Sequence, residues 1–261
     1  MEREGPAVIV TFTNVKGGVG KTTTAVNLAA AFAGAGLRTL LVDLDPQAAA
    51  TASLGLEEEG PSVADVLLRD AAVAEAARPS AVEKLDVLAG SPELSGADLV
   101  LARKRDPEQR LARALRRSRR WDVIVIDSPP GLSLLPLLGL AAADAYVLPT
   151  TPQRLSVDAL EKFERGLERV RGSLPRKPVR LGVLLTMVDH RTAVTEELVG
   201  EVRKRWGRDV FHTEIPLNIS LAVAPGSGRT IFDHEGWSSG GRAYRKLGGE
   251  VLRRARRREL L

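Results

Sequence analysis

The stretch "NVKGGVGKTT", residues 14–23, decides the fold of this chain. An apolar, β-branched segment precedes it at 7–13, and an alanine-rich segment typical of a helix begins at Lys21. A glycine-rich loop between a strand and a helix points backbone N–H groups and the positive helix end at a phosphate chain. The stretch therefore predicts a phosphate-binding loop within an α/β fold.

The residue types in this loop suit a nucleotide and a metal ion. Gly17, Gly18 and Gly20 have no side chain that would keep the backbone away from phosphate oxygens. Lys21 would reach the β- and γ-phosphates, and the Thr22 hydroxyl would ligate Mg²⁺. A glycine-rich turn without a ligand is the alternative, but strand, loop, Lys-Thr pair and helix all coincide here.

The loop departs from the usual P-loop pattern at position 15, where that pattern has glycine and this chain has Val15. Beside it stands Lys16, a second lysine in a loop that already contains Lys21. One interpretation is a solvated surface lysine, and the other is a further phosphate contact.

Two more strand-like segments end in carboxylates. "LLVDLDPQ", 40–47, contains Asp43 and Asp45, which alternation places on one side of the strand end, where ligands of open α/β sheets bind. "VIVIDSPPG", 123–131, has the form of a Walker B strand, so Asp127 would hold Mg²⁺ through water. Capping of the following turn is the alternative for each aspartate.

Apolar runs alternate with alanine- and leucine-rich stretches along the rest of the chain. The predicted strands are 7–13, 38–44, 85–90, 121–128, 145–150, 179–186 and 209–215. The predicted helices are 21–35, 107–120, 156–171, 192–206 and 239–257, with Ser156 as the N-cap of the third. Such runs suit strands that are covered on both faces. We predict one domain over 1–261, a doubly wound, mostly parallel sheet flanked by helices, with a basic C-terminal helix at about 239–258.

The composition excludes several classes of function. The chain has no cysteine, which excludes disulfides and iron–sulfur clusters held by its own thiolates. The three histidines show no metal-ligand spacing. No apolar run approaches the roughly 20 residues of a membrane span, and the N-terminus lacks a signal-peptide pattern. We therefore expect a cytoplasmic protein.

The net charge is +5, and the basic residues are concentrated in a few segments. These segments are 103–120, 165–180, 203–208 and the C-terminal tail. A solvated helix face explains any single cluster, whereas several clusters together favour a polyanion or an acidic membrane surface as partner.

Taken together, the three motifs resemble those of the ParA/MinD/Soj group of ATPases, whose loop is called a deviant Walker A motif. The resemblance implies ATP and Mg²⁺ as cofactors, and it implies that Lys16 reaches across a nucleotide-sandwich dimer to the partner's phosphates. It also implies that Asp45 orients the attacking water, while Asp43 supports it and is a further candidate metal ligand. The residues after Asp127 resemble the switch loop of that group. The implied nucleotide contacts in the loop are Lys16, Gly17, Gly18, Val19, Gly20, Lys21, Thr22 and Thr23.

Weaker similarity continues towards the C-terminus. The "IP-x-N" stretch of the group contacts adenine, which implies this role for Pro216 and Asn218, although an ordinary turn explains either residue. Members of the group often have arginines where this chain has Leu217 and Ser220. The segment 150–160 also lacks the glutamate–tyrosine pattern that is common in the group.

Two functions remain open. Similarity to the ParA/Soj type implies an ATP-driven DNA-partition ATPase that dimerises, binds DNA nonspecifically, is stimulated by a ParB-like protein and associates with the nucleoid. The DNA-contact candidates are Arg191, Arg229, Arg242, Arg245 and Lys246. The alternative is a MinD-like ATPase that cycles on a membrane. It would need an apolar face on the tail, which offers Val251, Leu252, Leu260 and Leu261 but no bulky aromatic anchor.

Overall fold

A seven-stranded sheet forms the centre of the protein, in the order β3-β4-β2-β5-β1-β6-β7. The computed structural model describes residues 7–57 and 60–260. The strands are β1 Val8–Phe12, β2 Thr39–Asp43, β3 Arg78–Pro79, β4 Leu85–Leu88, β5 Val123–Asp127, β6 Ala145–Thr150 and β7 Val179–Leu185. All neighbouring strands pair in parallel except β3 and β4. The mostly parallel sheet is thus confirmed.

The central strands are buried along their whole length, as their uninterrupted apolar runs predict. The strand register also determines where the site lies. Asp127 at the end of β5 stands opposite Phe12 of β1 and opposite Asp43 of β2. The loop after β1 and both carboxylates therefore meet at one edge of the sheet, the carboxyl edge at which ligands of such folds bind.

Helices cover both faces of the sheet. They are α1 Lys21–Gly34, α2 Ala49–Ala52, α3 Val63–Arg69, α4 Val73–Ala76, α5 Ala97–Leu101, α6 Arg110–Arg117, α7 Leu134–Ala142, α8 Arg154–Ser173, α9 Ala193–Trp206, α10 Ile219–Val223, α11 Ile231–Glu235 and α12 Ser239–Arg257. Helices α1 and α12 share one apolar core, and α3, α5, α6 and α7 pack on the opposite face. Helices α8 and α9 cover β6 and β7. The doubly wound arrangement is confirmed.

The predicted strand at 209–215 is wrong. The segment donates only isolated backbone hydrogen bonds to β7, from Phe211 to Val183 and from Ile215 to Leu185. Between them, the N–H groups of His212 and Thr213 donate to the buried carboxylate of Glu250, each at 2.9 Å. A side chain of α12 thus takes the donors that a strand ladder would need.

The predicted N-cap of α8 is also wrong. The carbonyl of Gln153 accepts the first helical hydrogen bonds, and Gln153 is the N-cap. Ser156 lies inside the first turn, where its hydroxyl stands 2.7 Å from that of Thr151. Helix α8 therefore begins earlier than predicted and brings Ser156 to the phosphate-binding loop.

The basic C-terminal helix is present as α12, capped by the Ser238 hydroxyl. Its apolar residues Val251 and Leu252 face inwards, and Leu260 after the helix also packs against the core that contains α1. Leu261 lies outside the described residues, as do residues 1–6 and 58–59 of the predicted domain. In the part of the chain that is described, no helix has the length and apolar character to cross a membrane.

Candidate functional site

The loop between β1 and α1 forms an open cradle. Gly18 and Gly20 have φ angles of 70° and 78°, in the left-handed region that glycine adopts without strain. A Cβ placed on Gly17 or Gly18 would have no neighbouring atom within 4 Å. Val19 is buried, and its carbonyl accepts a hydrogen bond from Thr186 at 2.9 Å. The loop is thus held on one side by the Thr186 hydrogen bond and is open to a ligand at Gly17 and Gly18.

Helix α1 begins directly after this loop. Gly20 is its N-cap and makes no side-chain capping bond, so the first N–H groups of the helix stay available to an anion. The first turn contains the Lys21, Thr22 and Thr23 side chains. An anion held in the cradle would therefore meet the positive end of a helix of 14 residues.

Lys21 folds back over its own loop. Its Nζ donates to the carbonyl oxygen of Lys16 at 3.0 Å. Burial lowers the pKa of the Lys21 ammonium, and the carboxylates of Asp127 and Asp45 oppose that shift. A phosphate would add strong acceptors of opposite charge to this buried ammonium, to which Lys21 is well suited to donate.

Lys16 contacts the start of α8. Its Nζ donates to Ser156 Oγ at 2.7 Å and to Gln153 Oε1 at 3.3 Å. Its backbone N–H donates to Asn14 Oδ1, and Asn14 in turn donates to the Pro149 carbonyl at 2.7 Å. The side chain of Lys16 is therefore held within its own subunit, next to the P-loop.

Asp43 and Asp127 form a fully buried pair at the ends of β2 and β5. Asp43 accepts three hydrogen bonds, from the Asp45 N–H and from the N–H and hydroxyl of Thr51. Among the described residues, neither oxygen of Asp127 accepts a hydrogen bond. Burial raises the pKa of Asp127 well above its usual range, and the charge of Asp43 raises it further.

An orphaned buried carboxylate of this kind fits a divalent cation, which would supply the opposite charge. The Thr22 hydroxyl lies near enough to act on the pKa of Asp127, so both predicted metal residues come together. In the described ranges, no cluster of three His, Cys, Asp or Glu side chains could hold a metal by itself. Mg²⁺ in proteins is commonly bound by one or two carboxylates together with phosphate oxygens and water. The role of Asp43 as a direct ligand stays a prediction.

Asp45 lies in the loop after β2 and is partly exposed. One of its oxygens accepts from the Gln47 N–H at 3.0 Å, so the carboxylate also caps a turn. The loop passes close to Gly90, where an added Cβ would lie 2.9 Å from both Asp43 Cγ and the Asp45 carbonyl oxygen. This close approach fixes the position of Asp45 beside the nucleotide loop.

The adenine candidates lie further along the same edge of the protein. Asn218 caps α10 by accepting from the Leu221 N–H, and its amide donates to Ser239 Oγ at 2.9 Å. Pro216 lines a cleft of about 710 Å³ that three of the DNA candidates, Arg242, Arg245 and Lys246, also line. Adenine contact by either residue stays a prediction.

Sequence and structure comparisons place the chain in a family. A model of the AAA domain matches residues 7–177. The chain is 37% identical over 249 residues to the chromosome partitioning protein ParA of Myxococcus xanthus, which covers 94% of this chain and 88% of that protein. It is 39% identical over 246 residues to the sporulation initiation inhibitor protein Soj of Bacillus subtilis, covering 93% and 97%. The chain belongs to the ParA/Soj family of ATPases.

A solved structure agrees with this family assignment. It is named a cobyrinic acid a,c-diamide synthase from Mycobacterium smegmatis and contains ADP and magnesium. It has a TM-score of 0.83 and 31% identity to this chain, and the alignment covers 96% of each. The two proteins therefore share one fold.

The five DNA candidates of this ParA/Soj family member differ in their surroundings. Arg242, Arg245 and Lys246 are exposed on α12, and Arg229 is exposed before α11. The Arg191 guanidinium instead donates two hydrogen bonds to Asp189, each at 2.7 Å. Hydrogen bonds from Arg191 lower the pKa of Asp189 to about 2. The charge of Arg191 is thus already compensated, whereas Arg242, Arg245 and Lys246 are not paired with a carboxylate of the described residues.

The supporting contacts of two further residues were not predicted from the sequence. Thr51 holds Asp43 and also accepts from the Gly90 N–H at 2.9 Å. Ser128, directly after Asp127, donates to the Phe12 carbonyl at 2.7 Å and so joins the segment after β5 to β1. Threonine and serine in loops are too common for their types to reveal these contacts. Only the strand register shows which ones meet the site.

Proposed function

We propose that this member of the ParA/Soj family is a DNA-partition ATPase. ATP with Mg²⁺ brings two copies together, the dimer binds DNA without sequence preference at the nucleoid, and hydrolysis stimulated by a ParB-like protein releases it. The observation that carries this proposal is the position of Lys16, a second cation at the rim of a cradle that already contains Lys21.

The residues of the loop divide the work of binding. Backbone N–H groups from Gly17 to Thr23 and the Lys21 ammonium would hold the phosphates, while Thr22 and Asp127 would hold Mg²⁺. The bound cation would neutralise charge that develops on the phosphates during transfer. Asp127 is suited to this role because its carboxylate lacks a hydrogen-bond donor among the described residues.

Asp45 is the residue that we assign to the attacking water. It follows β2 at the same edge as Asp127, and it is partly exposed whereas Asp43 is buried. Of these two aspartates, Asp45 is the one exposed to solvent, so we assign the orientation of the water molecule to Asp45. Asp43 would keep it in place, since Asp43 Oδ1 accepts from the Asp45 N–H at 3.2 Å.

Lys16 would couple the binding of ATP to the formation of the dimer. Its ammonium would leave Ser156 and donate to the phosphates of the partner subunit. A cation offered in trans to a transferring phosphoryl group is worth about 10³–10⁵ in rate in related enzymes. Hydrolysis would therefore depend on assembly of the dimer.

The surface around α12 is the proposed DNA contact. Its exposed basic residues need only meet phosphates, which explains binding without sequence preference. The MinD-like alternative loses support from the same helix, because its apolar residues Val251 and Leu252, and Leu260 after the helix, pack on the core.

ATPase assays test this proposal. We expect the rate of the wild-type protein to rise when DNA and a ParB-like protein encoded beside it are both present. Asp45→Ala should bind ATP and dimerise but fail to hydrolyse. An ATPase rate that does not change when DNA and the ParB-like protein are added would contradict the proposal. Normal turnover of ATP by Asp45→Ala would contradict it as well. Flotation with anionic lipid vesicles and ATP would detect the membrane alternative.

A further inference from the structure

Trp237 stands out as an exposed aromatic residue in the turn between α11 and α12. The chain has three tryptophans. Trp121 and Trp206 are buried, but Trp237 exposes 83% of its surface. An indole has a large apolar body, and exposed apolar side chains that group into a patch mark contact with another molecule.

Two arginines of α12 hold this turn in place. The Arg245 guanidinium lies over the Trp237 ring at 5.7 Å and over the Phe232 ring at 5.3 Å, so it stands between two aromatic rings. Arg242 donates to the carbonyl of Trp237, and Arg245 to that of Gly236. Within the described ranges neither arginine is paired with a carboxylate. Both positive charges beside the indole are thus available to an anion.

Apolar side chains of α10 lie next to this turn. Ser220 donates to Glu235, and Asn218 donates to Ser239, so the start of α10 is fastened to both sides of Trp237. Ile219 exposes 82% of its surface, and Leu217 is also exposed. The result is a small apolar projection flanked by cations.

We propose that Trp237 is an apolar wedge that this protein inserts between base pairs of duplex DNA, while Arg242 and Arg245 contact the adjacent phosphates. Architectural proteins that bind without sequence preference use apolar side chains in this way from the minor groove. The ring can do so without base recognition, because every base offers a π face. This inference rests on the proposed DNA binding and adds a contact that is not electrostatic.

The local structure favours DNA over a lipid surface. An interfacial membrane anchor is an extended amphipathic helix, whereas α10 has only five residues. The projection is continuous with Lys246 and the rest of the basic α12 surface, which suits a phosphate backbone. The guanidinium of Arg245 is also pre-positioned on the indole, so little side-chain freedom is lost when a phosphate binds it.

Tryptophan emission gives the first test. A short duplex of mixed sequence is titrated into the wild-type protein and into Trp237→Phe in the presence of a nonhydrolysable ATP analogue. The difference in emission between the two proteins reports on Trp237 alone. Stacking on bases should quench the Trp237 signal. DNA retention with an unchanged signal would overturn the wedge but leave the proposed function intact. Loss of retention in every nucleotide state would overturn the proposed function itself.

The salt dependence of binding gives the second test. Trp237→Ala should weaken DNA binding about ten-fold and leave the slope of log affinity against log salt unchanged. Arg242→Ala should instead reduce that slope by about 0.9. Leu99→Ala is the matched control, since Leu99 is 78% exposed on α5, on the opposite face of the sheet.

Unaltered affinity of Trp237→Ala for DNA would overturn the proposal. So would a Trp237 signal that brightens with anionic vesicles and ignores DNA, because the projection would then be a membrane anchor.

Discussion

Lys16 Nζ donates a hydrogen bond to Ser156 Oγ at 2.7 Å, so the lysine assigned to the partner's phosphate is bound by its own subunit. The two residues are 140 positions apart and meet because α8 begins at Arg154, beside the P-loop. This contact must break before Lys16 can act in trans. We therefore expect the start of α8 to oppose dimerisation in the isolated chain.

Removal of the Ser156 hydroxyl should favour the dimer. In Ser156→Ala, Lys16 loses one partner of its resting position, which we expect to stabilise the ATP-bound dimer by about 1 kcal/mol per subunit. Sedimentation with a nonhydrolysable ATP analogue measures the shift. Ser173→Ala at the other end of α8 is the control. A weaker dimer in Ser156→Ala would show that Ser156 supports Lys16 in the active state instead.

Neutralisation of Asp189 should strengthen DNA binding. Asp189 compensates Arg191 through two hydrogen bonds, so Asp189→Asn frees that guanidinium for a phosphate. We expect higher affinity and a salt slope that is steeper by about 0.9. Asp158→Asn on α8 removes the same charge elsewhere and controls for net charge. Equal gains in both variants would mean that Arg191 makes no specific contact.

His190 should contribute a stability that depends on pH. Hydrogen bonds to Glu196 and Glu214 raise the pKa of its imidazole above the ordinary value. The charged form is thus favoured in the folded state, and this stability is fully present below about pH 6.5 and is lost as the pH rises through the folded pKa. The imidazole is largely exposed, so we expect less than about 1 kcal/mol. Urea unfolding of His190→Gln should show a larger deficit at acidic than at alkaline pH. A loss of stability in His190→Gln that does not vary with pH would contradict the ion pairs of His190 with Glu196 and Glu214.

Asp127 should destabilise the nucleotide-free protein and stabilise the loaded one. Its buried carboxylate has no hydrogen-bond donor among the described residues and lies opposite Asp43, so Asp127→Asn should raise the free energy of unfolding of the free protein by about 1–3 kcal/mol. The same variant should lose the extra thermal stability that ATP with Mg²⁺ gives the wild type. Thermal melts in EDTA and in ATP with Mg²⁺ measure both effects. A free variant that melts below the wild type would contradict this role.

The fold and the centre of the site could be predicted from local pattern. Strand burial, the glycine loop and the strand-end aspartates are properties of short segments, and the parallel register then brings Asp43 and Asp127 together. The Thr51 and Ser156 contacts could not be predicted in this way. They depend on how loops far apart in sequence pack at the same edge.

The error at 209–215 has a related cause. Residues 209–215 have the apolar alternation of a strand, but Glu250, distant in sequence, accepts the N–H groups of His212 and Thr213. DNA contact by Arg191 stays a prediction, since its ion pair with the neighbouring Asp189 does not test it.

The most direct test of the dimer switch is DNA retention by the wild-type protein and by Lys16→Ala, measured with ATP and with ADP at one salt concentration. We predict retention only for the wild type with ATP, while Lys16→Ala binds ATP, stays monomeric and releases DNA. Equal retention of DNA in ATP and ADP, or full retention by a dimeric Lys16→Ala protein, would contradict the account.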